Sequence, residues 1–197
     1  MANILLLGAK GQLGRELNRS LLPLGNVLAL TRKVCDLTNK EYLIEIIRKV
    51  QPEIIVNAAA YTAVDKAESD EEMARLINYE VPVVLSEEAR RNNSLLVDYS
   101  TDYVFDGCKQ GPYIETDTPN PLNVYGRTKL AGLNAIQQSG CRFLVFRISG
   151  VYSRFGRNFV KTMMKMGKGR KEIKVVSDQI GVLHLQTLSQ ILQRRHY

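Results

Sequence analysis

Residues 3–14 read NILLLGAKGQLG, an apolar run, Ile4–Leu7, that passes without a linker into Gly8, Gly11 and Gly14 and then into a segment with helical periodicity. Strand, glycine loop and helix follow one another in the order a nucleotide site needs. Glycines permit a tight turn and let the backbone approach a ligand closely, and the start of the helix offers unpaired N–H groups at the positive end of its dipole. A plain strand-to-helix turn would not need three glycines at this spacing. The reading is therefore a pyrophosphate cradle, with Gly8, Gly11 and Gly14 shaping the loop and Gln12 and Leu13 opening the helix.

Working outward, apolar strand-length runs recur at 27–30, 53–57, 94–99, 142–148 and 173–177, separated by helical patterns at about 12–22, 40–50, 70–92, 124–138 and 157–167. The runs are continuously apolar rather than alternating, as in parallel strands covered on both faces. Strands alternating with helices predict an α/β fold built on a doubly wound parallel sheet of the Rossmann type. Pro82 lacks a backbone N–H and is expected to interrupt the third helix. The irregular stretch 101–123, with two glycines and three prolines, is longer than an idle connection usually is.

After the second strand the chain reads Thr31-Arg32-Lys33, where an acidic residue would favour the ribose 2′-hydroxyl of NAD. Arg32 and its neighbours suit a 2′-phosphate instead, so NADPH is the expected cofactor, with NADH as the alternative. Asp36 and Leu37 follow closely enough to reach the adenine, although Asp36 equally suits the cap of a helix starting near Thr38.

The 197 residues are 45% hydrophobic and 24% charged, a balance that supports one ordinary core. No run of about 18 uncharged apolar residues occurs, which excludes a membrane-spanning helix. The N-terminus has neither a basic flank nor a cleavage-type site, so a cytoplasmic protein is expected. Cys35, Cys108 and Cys141 are too few and too scattered for a disulfide framework or a metal site. A formal charge of +7 calls for an anionic partner without choosing one. Arg154 to Lys174 holds eight basic residues against Glu172 alone, either a solvated helix face or a phosphate-binding rim. No nucleic-acid-binding motif accompanies it.

Tyr125 and Lys129 lie four apart at the start of a predicted helix and so share one face. An ammonium beside a phenol is expected to lower its pKa and make it a usable proton donor. Upstream, Thr101 stands at the end of the fourth strand, where parallel sheets place their sites. A hydroxyl, a phenol and an ammonium around one carbonyl oxygen make a reductase site. Taken alone, Thr101 would equally cap a strand end.

Five blocks in this order, GAKGQLG (8–14), IIVNAAAYTAVDKAES (54–69), YSTDYVFDG (99–107), PLNVYGRTKLAG (121–132) and NFVKTMMKMGKGRKEIKVVSDQIG (158–181), resemble the dTDP-4-dehydrorhamnose reductases, a family of extended short-chain dehydrogenases/reductases. The resemblance implies that Gly11, Gln12 and Leu13 hold the pyrophosphate and that Asp36 and Leu37 border the adenine. Ala59, Ala60 and Thr62 would line the middle of the cofactor, with Tyr99 in the same set. It implies Tyr125 as proton donor, Lys129 on the nicotinamide ribose and Thr101 on the carbonyl of a dTDP-sugar, with Asp102 and Tyr103 near the sugar. No metal is implied.

Three departures stand out. Gly150 replaces the family's tryptophan, Leu133 stands where glutamate is usual, and Val182 follows DQIG in place of an Ala-Pro-Thr turn. The expectation is an NADP-binding domain over 1–181 with the small substrate lobe largely missing. The tail, 182–197, is expected to form one helix, with Leu185, Leu188, Ile191 and Leu192 along one stripe. Such a chain would be a weak catalyst, and a homodimer is one way to cover the apolar surface left bare. A nucleotide-binding regulatory or scaffold protein without turnover is the alternative, and an enzyme acting on another nucleotide sugar is a third reading.

Overall fold

A computed structural model of the chain describes residues 1–170, 172–175 and 181–185, the last three as backbone. Five parallel strands form one sheet: β1 (Ala2–Leu7), β2 (Gly25–Ala29), β3 (Ile54–Asn57), β4 (Leu95–Thr101) and β5 (Arg142–Ile148), in the order β2-β1-β3-β4-β5. The helices are α1 (Gln12–Ser20), α2 (Lys40–Val50), α3 (Val64–Ala67), α4 (Glu71–Arg75), α5 (Val81–Arg91), α6 (Val124–Gln138) and α7 (Phe159–Gly167).

The unbroken apolar character of β1 follows from its position. Ile4 and Leu6 face the layer of α1, packing with Leu17, Val56 and Tyr99, while Leu5 and Leu7 face α2, α5 and α6, packing with Leu43, Ile47, Val81, Leu85 and Ile136. Side chains that alternate between two buried faces must all be apolar. The strand order reverses between β1 and β3, and the crevice at the carboxyl ends of those strands is where such sheets bind ligands.

Three elements depart from expectation. The helical stretch after Asp70 does not break at Pro82: one π-helical turn, Leu76–Glu80, joins α4 to α5. Just before Pro82 the N–H of Val81 reaches back five residues to the carbonyl of Leu76. Residues 173–175 form no strand, and 176–177 lie outside the described residues. Leu183–Leu185, within the tail expected to be helical, forms a short strand, β7, parallel to β6 (Gly150–Tyr152); residues 186–197 lie outside the described residues.

Candidate functional site

The glycine loop is built for close backbone contact. Gly8 has φ +72°, and its carbonyl accepts from the N–H of Gly11 at 2.8 Å. A Cβ on Gly14 would lie 2.1 Å from the Gly8 carbonyl oxygen, and one on Gly8 would lie 2.7 Å from the Ala59 nitrogen. Both positions exclude any other residue without backbone movement. Gly11 caps α1 with no side-chain hydrogen bond, and the first turn carries no acid, so its N–H groups are open to an anion.

Other residues expected to meet the cofactor make contacts within the protein. The Gln12 side chain donates to the Val151 carbonyl and accepts from Asn158, both at 2.9 Å, tying the helix start to β6 and leaving only its backbone for a ligand. Leu13 packs against the α1-side core. Leu37 packs against the other core cluster, and Tyr99 is buried and stacks on Phe146. Ala59, Ala60 and Thr62 follow β3 as irregular chain at the mouth of the crevice. The Arg32 side chain is 81% exposed and lies 3.8 Å from the Asp36 carboxylate. Asp36 does not cap α2, because its carboxylate accepts from the N–H and hydroxyl of Thr38 while Asn39 caps the helix by accepting from Tyr42. Those contacts hold the Asp36 carboxyl below its ordinary range, the N–H of Thr38 contributing most.

At the end of β4 the structure brings together Thr101, Asp102, Tyr103 and Tyr125. The Thr101 hydroxyl donates to Asp102 at 3.0 Å and accepts from the N–H of Tyr103, so it caps the turn 102–104 while facing the site. The rings of Tyr103 and Tyr125 meet edge to face at 5.6 Å. Ser149, just past β5, donates to the other oxygen of Asp102. Tyr125 is 9% exposed. Burial pushes its phenol up from the ordinary value, Thr101 opposes the shift, and Asp102, Tyr103 and Asp98 add to it. The net shift is upward, not the lowering expected from Lys129. The ammonium, itself buried, lies instead 3.8 Å from the carboxylate of Asp98.

Several positioning residues escaped the sequence reading. Asn123 caps α6 by accepting from the Gly126 N–H at 2.7 Å, and Glu68 accepts from the Val124 N–H at 2.8 Å, so both fix the helix start that carries Tyr125. Asn ahead of a helical run is a readable cap signal, whereas Glu68 acts across 56 residues of sequence. Asn78, buried in the π turn, donates to Thr128 and to the carbonyl of Tyr61 and accepts from the Tyr61 N–H. In the basic stretch, Lys165 and Lys168 are exposed, while Arg154 and Arg15 both lie against the ring of Phe155 beside the glycine loop. Among the described residues no cluster of metal-ligating side chains occurs, and no helix is long and apolar enough to cross a membrane.

A parallel sheet of this order, with a glycine cradle at its reversal point and a Tyr-x-x-x-Lys helix beside it, defines a Rossmann-type α/β unit of the short-chain dehydrogenase/reductase kind. The absence of side chains at Gly8 and Gly14 lets the loop pack backbone to backbone against Ala58, Ala59 and the start of α1. The chain belongs to the family described as RmlD substrate binding domain, which matches residues 1–190. It is 49% identical over 178 residues to a dTDP-4-dehydrorhamnose reductase of Burkholderia thailandensis, covering 90% of this chain and 60% of that one. It is equally 49% identical over 183 residues to the enzyme of that name from Escherichia coli K12, covering 91% and 61%. Among solved structures it resembles the dTDP-4-dehydrorhamnose reductase of Bacillus anthracis in complex with NADP, with TM-score 0.92 and 34% identity over 99% of this chain and 70% of that one. The chain thus spans about 60% of the length of the curated relatives it matches.

Proposed function

We propose that this chain carries the cofactor site and the acid-base centre of an NADPH-dependent reductase that converts a dTDP-linked 4-keto-6-deoxysugar, dTDP-4-dehydrorhamnose, to dTDP-L-rhamnose. The observation that carries the reading is that Thr101 and Tyr125 meet at the carboxyl end of β4, with buried Lys129 one turn further along α6, at the same edge of the sheet where β1 runs into the glycine loop and the open start of α1. The names of the close relatives support the substrate class. The NADP bound to the Bacillus anthracis protein supports the cofactor.

Gly8, Gly11 and Gly14, with the N–H groups of Gln12 and Leu13, would hold the pyrophosphate; Arg32 is the cation available to a 2′-phosphate; Asp36, Leu37, Ala59, Ala60, Thr62 and Tyr99 would border the rest. When bound, NADPH supplies the hydride. The chain's own part is to hold the sugar carbonyl and give it a proton. Tyr125 is the donor, and burial keeps its phenol protonated at neutral pH, the state a reduction requires. The Thr101 hydroxyl lies next to it to hold the carbonyl oxygen, and Asp102 and Tyr103 line the sugar side. Lys129 supplies positive charge one helical turn from the phenol. The three cysteines are free thiols, in keeping with work in the reducing cytoplasm.

Steady-state NADPH oxidation with the dTDP-keto sugar tests the proposal. Turnover by the wild-type chain that falls about 10²- to 10⁴-fold in Tyr125→Phe, with cofactor affinity kept, is the expected result. Undiminished turnover in the Phe variant would remove Tyr125 from the chemistry.

A further inference from the structure

A buried polar chain crosses the sheet behind the candidate site. Asp98 lies in the middle of β4 and is 4% exposed, Asn57 at the end of β3 is 2% exposed, and Lys129 on α6 is 4% exposed. Asp98 and Asn57 are register partners, and the Asn57 amide donates to Asp98 Oδ1 at 2.6 Å. Lys129 Nζ lies 3.8 Å from Asp98 Oδ2. The side-chain oxygen of Asn57, Oδ1, accepts from the N–H of Ala59 at 3.2 Å, the same nitrogen that a Cβ on Gly8 would strike. One connected path therefore runs from the ammonium of α6 through two strands to the glycine loop.

A carboxylate at this depth needs a reason. Leu96, two residues earlier on the same face of β4, is wholly buried among apolar side chains, and an apolar residue at 98 would extend that core. A buried ion pair gives no stability advantage over such a replacement, so its worth lies in what it positions. Lys129 has a flexible four-carbon stem, and a single fixed anion selects where its charge comes to rest. Tyr125 sits one turn before it on the same helix.

We infer that Asp98, fastened by Asn57, is a positioning residue that fixes the Lys129 ammonium relative to Tyr125 and couples that lysine to the glycine loop. The inference takes the importance of Lys129 and Tyr125 from the reductase reading. Facing Asp98 are Asn57 from β3, Lys129 from α6 and the N–H of Tyr99, while β5 presents apolar Val145. Facing Tyr125 are Thr101 at the end of β4, Asp102 and Tyr103 from the next turn, and Tyr61 from the segment after β3.

The test begins without cofactor. Tyrosine labelled with carbon-13 in the ring is titrated by NMR in the full chain, with Tyr125 assigned by its loss in Tyr125→Phe. An anion near a phenol disfavours the phenolate and a cation favours it. Asp98→Asn should therefore lower the Tyr125 midpoint, and Lys129→Met should raise it, each by about half a pH unit or more, roughly threefold in proton affinity. Removing one partner of a buried pair is costly, so Asp98→Asn alone can fail to fold. The double variant Asp98→Asn/Lys129→Met carries no buried charge at the pair and should titrate below Lys129→Met. A midpoint that does not fall when Asp98 is neutralised, in either background, overturns the inference. NADPH affinity then separates acting through Lys129 from acting alone. Asp98→Asn and Lys129→Met should each weaken binding about tenfold, and the double variant should bind no more weakly than Lys129→Met. Additive losses overturn the inference as well. A wild-type chain that binds no NADPH refutes the reductase reading, and the tyrosine titration still tests the inference, since a shift on neutralising Asp98 that is the same with and without Lys129 leaves nothing acting through the lysine and overturns it.

Discussion

Replacing Gly14 by alanine tests the cofactor cradle at its tightest contact. The new Cβ would stand 2.1 Å from the Gly8 carbonyl oxygen, 2.8 Å from the Gly8 carbonyl carbon and 2.9 Å from the Ala9 Cα. All three are backbone atoms, so no side chain can swing aside. Ordinary contact begins near 3.4 Å, and α1 must withdraw from the loop by more than an ångström. Overpacking of this kind costs about 1–3 kcal/mol, against which alanine gains about 1 kcal/mol in helix propensity. The net loss of up to about 2 kcal/mol lowers Tm by up to about 8 °C for a domain of this size. The larger effect falls on NADPH, because the withdrawn helix takes its first-turn N–H groups with it. One lost hydrogen bond to a charged group is worth about 1.5–3 kcal/mol, or roughly ten- to a hundredfold in affinity. Fluorescence titration with NADPH, paired with thermal melts, reads both numbers. Gly11→Ala, whose Cβ would meet the same oxygen at 3.2 Å, should be milder, and Gly169→Ala, with nothing within 4 Å, should leave NADPH affinity unchanged. A Gly14→Ala protein that melts and binds as the wild type does refutes the cradle.

Three further outcomes follow from particular contacts. Arg32→Ala should cut the preference for NADPH over NADH by about tenfold, and an unchanged ratio in parallel titrations would place 2′-phosphate recognition elsewhere. Asn123→Ala loses the 2.7 Å cap of α6 and should cost about 1 kcal/mol, or about 2–4 °C in Tm, while lowering turnover through Tyr125; an unshifted melt contradicts it. Asp106 accepts from the Cys108 N–H, Asn120 and Tyr113, which holds its carboxyl at about 2 against an ordinary 3.8. Its contribution is complete above the ordinary value and lost as pH falls towards 2, so amide exchange in 106–120 should quicken over that interval, and Asp106→Ala should show the quickened exchange already at pH 7.

The legible parts of this fold are those whose signal is local. Ile4–Leu7 with Gly8, Gly11 and Gly14 announce a strand, loop and helix in sequence order, and the boundaries of α2, α6 and β5 match their apolar patterns. The hidden parts depend on distant neighbours. Asp98 in LLVDYST reads as an ordinary polar position, since nothing in β4 tells that α6 will cover it with Lys129. Gln12 finds Val151 across 139 residues, and the three-residue strands β6 and β7 are too short to display a period of two. The upward push on Tyr125 was missed for the same reason: spacing brings an ammonium to the phenol's helix face, but only the folded sheet shows how deeply the phenol is buried, and that a carboxylate lies 3.8 Å from that ammonium.

The most direct test of the reductase reading is a single turnover of the chain with the dTDP-keto sugar and NADPH deuterated at the nicotinamide C4, with the product read by mass spectrometry and NMR. The account predicts one deuterium at C4 of the sugar, transferred by the wild type and lost from the early product in Tyr125→Phe. A chain that binds NADPH and the sugar nucleotide together yet transfers no deuterium would contradict it.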